Sequence, residues 1–235
     1  MAKVFVALDF PSEEQAWQMA EKLLPQNPFF KVGLELFVAA GPSFVHRLTA
    51  AGAEVFLDLK FHDIPNTVAG AIRSSMALGA RYVNVHCGGG EAMIRAAVEA
   101  AKKEAERLGV QKPTLLGVTV LTSLDDQAVQ QIGFPRSASA QVKHFVELAQ
   151  DCGLDGVVCS AEEISLVKSL AGHSFLTMVP GIRPAGAEKG DQKRTLTPAE
   201  AVAAGADCLV VGRPVTGAAD PRLALSQILQ EVARS

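Results

Sequence analysis

Val55-Phe56-Leu57-Asp58-Leu59-Lys60-Phe61-His62-Asp63-Ile64-Pro65-Asn66-Thr67 begins as an apolar run and ends in a knot of charge. Side chains of a strand alternate between two faces. A strand over Glu54 to Lys60 therefore turns Asp58 and Lys60 to the same side, with Phe56 below them on that face. Asp63 falls just past the strand end. A carboxylate, an ammonium and a second carboxylate so close together are costly in a buried site unless they pair or do chemistry. A solvated turn would explain Asp63 alone. It does not explain charges embedded among Phe56, Leu57, Leu59 and Phe61.

Outward from this stretch the same unit recurs. Short apolar runs cover Lys3 to Leu8, Phe29 to Val32, Glu54 to Lys60, Arg81 to His86, Pro113 to Leu121, Asp155 to Cys159, Phe175 to Val179 and Asp207 to Val211. Each is followed by a helical pattern. Ser12 is placed to cap the first helix, and Thr197-Pro198-Ala199-Glu200 spells a capping box. Pro65 suits a first helical turn, and Gly79 and Gly109 suit helix ends. Gly41-Pro42 interrupts the second helix, and Gly88-Gly89-Gly90 makes a tight entry to a long Ala-rich one. The strands show little alternation, as parallel strands covered on both faces do. Eight β-α units in 235 residues predict an α/β fold, a (β/α)8 TIM barrel forming a single domain over residues 1–235. An open doubly wound sheet is the alternative, but no G-x-G-x-x-G follows the first strand.

Composition excludes several functions. The chain is 49% hydrophobic and 20% charged, with a net charge of −3, so no global basic character points to nucleic acid. No apolar run approaches the length of a membrane span, and no signal-peptide core follows Met1. A cytoplasmic protein with no membrane partner is expected. Cys87, Cys152, Cys159 and Cys208 form no CxxC pair and read as reduced structural thiols. His46, His62, His86, His144 and His173 form no HxH or HxxxH, so no metal site is expected. For His62 the expectation is packing or hydrogen bonding.

Active sites of such barrels lie at the C-terminal ends of the strands. The polar residues there are Asp9, Lys31, Asp58, Lys60, Asp63, Asn84, His86, Thr122, Ser123, Arg183, Gly212 and Arg213. Two Lys–Asp pairs alternating in one mouth would neutralise one another. Val211-Gly212-Arg213 offers a close backbone approach and a guanidinium for a phosphate. Arg183 precedes, and Gln192 lies within, the Gly-, Lys- and Asp-rich loop Ala185 to Arg194, which reads as mobile, and the two could close over that anion.

The long form Asp58-Leu59-Lys60-Phe61-His62-Asp63-Ile64-Pro65-Asn66-Thr67 resembles the signature of the orotidine 5′-phosphate decarboxylase family. Ala7-Leu8-Asp9, Lys31-Val32-Gly33, Leu121-Thr122-Ser123, Pro180-Gly181-Ile182-Arg183 and Val211-Gly212-Arg213-Pro214 extend the resemblance along the whole chain. The short D-x-K-x-x-D is shared with hexulose phosphate synthase and ketogulonate phosphate decarboxylase; the long form is far more specific. The resemblance implies conversion of orotidine 5′-monophosphate to uridine 5′-monophosphate and CO2, the last step of de novo UMP synthesis, with no cofactor. It implies catalytic roles for Lys60, Asp58, Lys31 and Asp63, with Lys60 protonating C6. Asp9 and Lys31 would meet the ribose, Thr122 and Ser123 the pyrimidine edge, and Arg183, Gln192, Gly212 and Arg213 the phosphate. It also implies a homodimer in which Asp63 and Thr67 reach the neighbouring subunit's site. The alternatives are a magnesium-dependent sugar-phosphate aldolase or decarboxylase on the same barrel, and a non-catalytic phosphate-ligand binding protein.

Overall fold

Lys3–Ala7 (β1), Phe29–Gly33 (β2), Glu54–Phe61 (β3), Tyr82–His86 (β4), Thr114–Val118 (β5), Gly156–Val158 (β6), Leu176–Val179 (β7) and Cys208–Val211 (β8) pair in chain order. All pairs are parallel, and β8 returns to β1 through Phe5↔Val210, closing the barrel. The computed structural model describes residues 2–184 and 196–235. Helices Glu13–Leu23 (α1), Leu34–Ala50 (α2), Pro65–Ala77 (α3), Gly90–Leu108 (α4), Asp126–Gln131 (α5), Ala138–Asp151 (α6), Ile164–Ala171 (α7), Pro198–Ala203 (α8), Arg213–Thr216 (α9) and Pro221–Arg234 (α10) surround it. This is the expected (β/α)8 architecture.

The helix boundaries follow local chemistry. Ser12 Oγ accepts from the Gln15 N–H, and Thr197 and Glu200 complete a reciprocal capping box. Pro65 opens α3, where its missing N–H costs nothing. Gly41 has a φ of 72° and kinks α2 ahead of Pro42. The one-turn α9 directly after β8 is an addition to the expected elements.

Strand alternation separates two cores. Val4, Val6 and Leu8 face the helices, whereas Phe5 and Ala7 face the barrel axis with Phe56, Tyr82, Leu116, Met178, Cys208 and Val210. Phe5 stacks against Phe29, Phe56 and Tyr82 at centroid distances of 5.3, 6.1 and 5.0 Å. This aromatic plug fills the N-terminal end, and Lys3 Nζ donates to the Tyr82 hydroxyl at 2.8 Å below it. Asp155 and Asp207 add polar staples at the same end: each accepts a neighbouring strand's N–H, from Leu115 and Thr177 respectively, and a lysine, Lys112 and Lys168. The opposite end is left open.

Every strand but the fifth begins and ends within one residue of its expected extent, and the fifth and third are irregular for physical reasons. The fifth stops at Val118 rather than Leu121, because Thr119 sends both its N–H and its hydroxyl to the Val158 carbonyl and the chain turns into the mouth. The third runs to Phe61 but is not a regular strand. Its register against β4 jumps from Leu57↔Val83 to Phe61↔Val85, so Asp58, Leu59 and Lys60 stand opposite Asn84 alone. Such an excess is a β-bulge, which re-aims side chains. Lys60 sits within it at φ 52°, the one non-glycine with positive φ among the described residues.

Candidate active site

The open end holds a cavity of about 440 Å3, in the size range of a small-ligand site. Its walls differ. One is charged: Asp9 follows β1, Lys31 projects from β2, and Asp58 and Lys60 come from β3. The other is apolar, from Val118, Val120, Val158, Cys159 and Pro180. Arg183 and Arg213 stand on the rim with Gly212.

The four charges form one alternating chain. Lys31 Nζ lies 2.8 Å from Asp9 Oδ1 and 3.7 Å from Asp58 Oδ2, and Lys60 Nζ lies 2.7 Å from Asp58 Oδ1. Lys31 and Asp58 are almost fully buried, so their charges are tolerated only through this pairing. Gly33 shows how tight the arrangement is: a Cβ there would stand 2.8 Å from Lys31 Nζ and 3.3 Å from Asp9 Oδ1.

Asn84, fully buried on β4, binds the cluster from the side. Its Nδ2 donates to Asp58 Oδ1 at 2.7 Å, and its Oδ1 accepts from the Lys60 backbone N–H at 2.8 Å. A non-glycine residue at positive φ costs on the order of 1–3 kcal/mol and persists where its surroundings over-determine it. Beside it, the His62 and His86 rings lie 5.3 Å apart. Burial first, then His62 and Lys60, pull the His86 imidazole down to about 4, so it is neutral near neutrality.

The cavity brings together most of the residues expected from the sequence: Asp9, Lys31, Asp58, Lys60, Thr122, Arg183, Gly212 and Arg213 all line it. Ser123 does not; it is exposed next to Thr122, where the chain is already turning away. Asp63 and Thr67 are exposed and outside their own chain's cavity, Asp63 accepting from the Ile64 N–H at 2.6 Å. Gln192 and the whole of the Ala185 to Arg194 loop lie outside the described residues. Asn84, expected at the mouth as a lone amide between Val83 and Val85, had no role assigned to it from the sequence. The sequence reasoning also missed the apolar wall, whose residues look like ordinary strand ends.

Among the described residues no group of three or more His, Cys, Asp or Glu is arranged to hold a metal ion. Between Asp9 and Asp58 stands the Lys31 ammonium. The four cysteines are buried and unpaired, and burial pushes Cys87 and Cys208 up to about 12. Among the described residues no helix is long and apolar enough to cross a membrane.

A parallel eight-stranded barrel with a charged, ligand-sized cavity at its C-terminal mouth defines a (β/α)8 enzyme of the small-molecule kind. Residues 2–228 match the orotidine 5′-phosphate decarboxylase / HUMPS family, and the chain belongs to that family. An orotidine 5′-phosphate decarboxylase of Paramagnetospirillum magneticum is 51% identical over 229 residues, covering 97% of both chains. One of Alkalilimnicola ehrlichii is 52% identical over 232 residues, covering 99% of this chain and 97% of that one. The crystal structure of orotidine 5′-phosphate decarboxylase from Lactobacillus acidophilus matches with a TM-score of 0.89 at 38% identity, covering 99% of each chain.

Proposed function

We propose that this protein is a carboxy-lyase converting orotidine 5′-monophosphate to uridine 5′-monophosphate and CO2 in pyrimidine synthesis, without a cofactor. The observation that carries the reading is the 2.7 Å contact of Lys60 Nζ with Asp58 in a mouth that also presents two arginines. The family membership and the names of the relatives support the same substrate.

The chemistry explains the charges. The bond from pyrimidine C6 to the carboxylate breaks, CO2 leaves neutral, and the electron pair stays on C6 with no π system to receive it. Without an electron-sink cofactor, that pair must be stabilised by a fixed cation and then protonated. The Lys60 ammonium does both: it faces the developing carbanion, gives a proton to C6, and recovers one from solvent. Asp58 holds Lys60 in place and lies next to the substrate carboxylate. Lys31 and Asp9 take the ribose hydroxyls, and Thr122, which lines the cavity where Ser123 does not, takes the pyrimidine edge. Arg213, Arg183, the Gly212 backbone and Gln192 take the phosphate, a part of the substrate remote from the reacting carbon whose binding energy can be spent on the reaction. The apolar wall of Val118, Val120 and Cys159 gives the departing CO2 a non-polar exit.

Asp63 and Thr67 complete the site of a second copy in a homodimer. Their exposure supports this, as do exposed apolar side chains of the elements that follow β3 and β2: Ile64, just before α3, is 67% exposed, and Leu34 and Val38, in the first turns of α2, are 56% and 82% exposed. The magnesium-dependent alternative requires a cation between carboxylates already bridged by Lys31. Loss of the ultraviolet absorbance of orotidine monophosphate, followed with and without EDTA, tests the reading. Equal rates in both are expected; a rate abolished by EDTA, or none without it, contradicts it.

A further inference from the structure

The geometry points to Asn84 as a positioning residue for Lys60: we propose that its amide holds the lysine backbone in its left-handed conformation and so aims the ammonium. The kinetic part of this inference rests on the decarboxylase reading; the structural part does not.

Three residues of β3, Asp58, Leu59 and Lys60, face a single residue of β4. Regular main-chain rungs cannot serve all of them, so the bulge leaves backbone groups to be satisfied by something else. Asn84 is that single residue, and its side chain supplies the missing partners. Its Oδ1 takes the Lys60 N–H at 2.8 Å, and its Nδ2 gives to Asp58 Oδ1 at 2.7 Å. The Lys60 ammonium contacts the same Asp58 oxygen at 2.7 Å. A ring closes: lysine backbone, amide, carboxylate, lysine ammonium. Both ends of the lysine are therefore referred to one fixed point on β4.

The amide group is specifically suited to this. One partner is a donor and the other an acceptor, which leaves a single orientation for the amide. A carboxyl at this position would set two anions side by side, and an alkyl side chain would satisfy neither. Asn84 is fully buried, so water does not replace it. It lies outside the cavity lining, so it acts on substrate only through Lys60 and Asp58.

The test compares Asn84→Ala and the isosteric Asn84→Asp with the parent, reading kcat for orotidine monophosphate, Kd for uridine monophosphate and a crystal structure of each variant. Misplacing a reacting group by about an ångström costs on the order of 100-fold, so kcat is expected to fall about 100-fold. Product affinity, which rests on ribose and phosphate contacts, is expected to stay within about threefold, because only the ammonium is misdirected. In the crystal Lys60 is expected to leave positive φ or lose its contact with Asp58. A fall in kcat of less than about tenfold, or an equal fall in product affinity, overturns the positioning role. So does a variant crystal with the lysine unmoved. Should Asn84→Ala not fold, Asn84→Asp carries the same criteria. A parent inactive on orotidine monophosphate would sink the decarboxylase reading, and the crystal comparison would still decide the role of Asn84.

Discussion

Lys60 combines a strained backbone, a buried carboxylate partner and an ammonium open to a cavity. Its neighbours were readable in the sequence because burying a charge in an apolar strand is expensive. That logic singles out Lys31, Asp58 and Lys60, and the structure places them with Asp9 in one chain of contacts. It is blind to Asn84, since a neutral amide between two valines looks like any buried polar residue. His86 carries a further consequence. Its imidazole is held down to about 4 in the folded protein, chiefly by burial. The unfolded chain has an ordinary histidine, so it binds the extra proton first as pH falls through the range from about 6.5 to 4. Stability attributable to this group is therefore full near neutrality and is lost towards acid. Urea midpoints measured at about pH 7 and about pH 5 should differ less for His86→Gln than for the parent. Parallel losses in both would show that burial of His86 is not what acid disturbs.

The eight strands were readable as apolar runs because each is covered on both faces, and the caps at Ser12 and Thr197 because their side chains answer the helix N–H groups. Two elements were not. The four-residue α9 is too short for any periodicity to register. The bulge in β3 is invisible because Val55 to Lys60 alternates as a regular strand would; the slip exists only against β4. The division of labour between the barrel ends yields a prediction. Phe5 is fully buried in the plug and does not line the cavity. Truncation of a buried phenylalanine costs about 3–5 kcal/mol. Phe5→Ala should lose stability of that order in urea unfolding while keeping kcat at temperatures where it stays folded. A large fall in kcat with unchanged stability would mean that the plug shapes the site.

Closure of β8 onto β1 brings Asp9 and Arg213, far apart in the chain, to one mouth. In the homodimer proposed above, the exposed segment around Asp63 would complete the mouth of the second copy. Lys60→Ala and Asp63→Ala variants should each be inactive alone. When they are mixed and allowed to exchange subunits, each hybrid has one doubly altered and one intact site, and about a quarter of the parental activity should return. No recovery despite exchange would assign both residues to the same subunit's site. The chemistry itself is tested most directly in deuterated water, with orotidine monophosphate carrying 13C in its carboxylate. Labelled CO2 should appear together with uridine monophosphate deuterated at C6, and neither should appear with Lys60→Ala. Unchanged substrate with the parent protein, or full turnover by Lys60→Ala, would contradict the assignment.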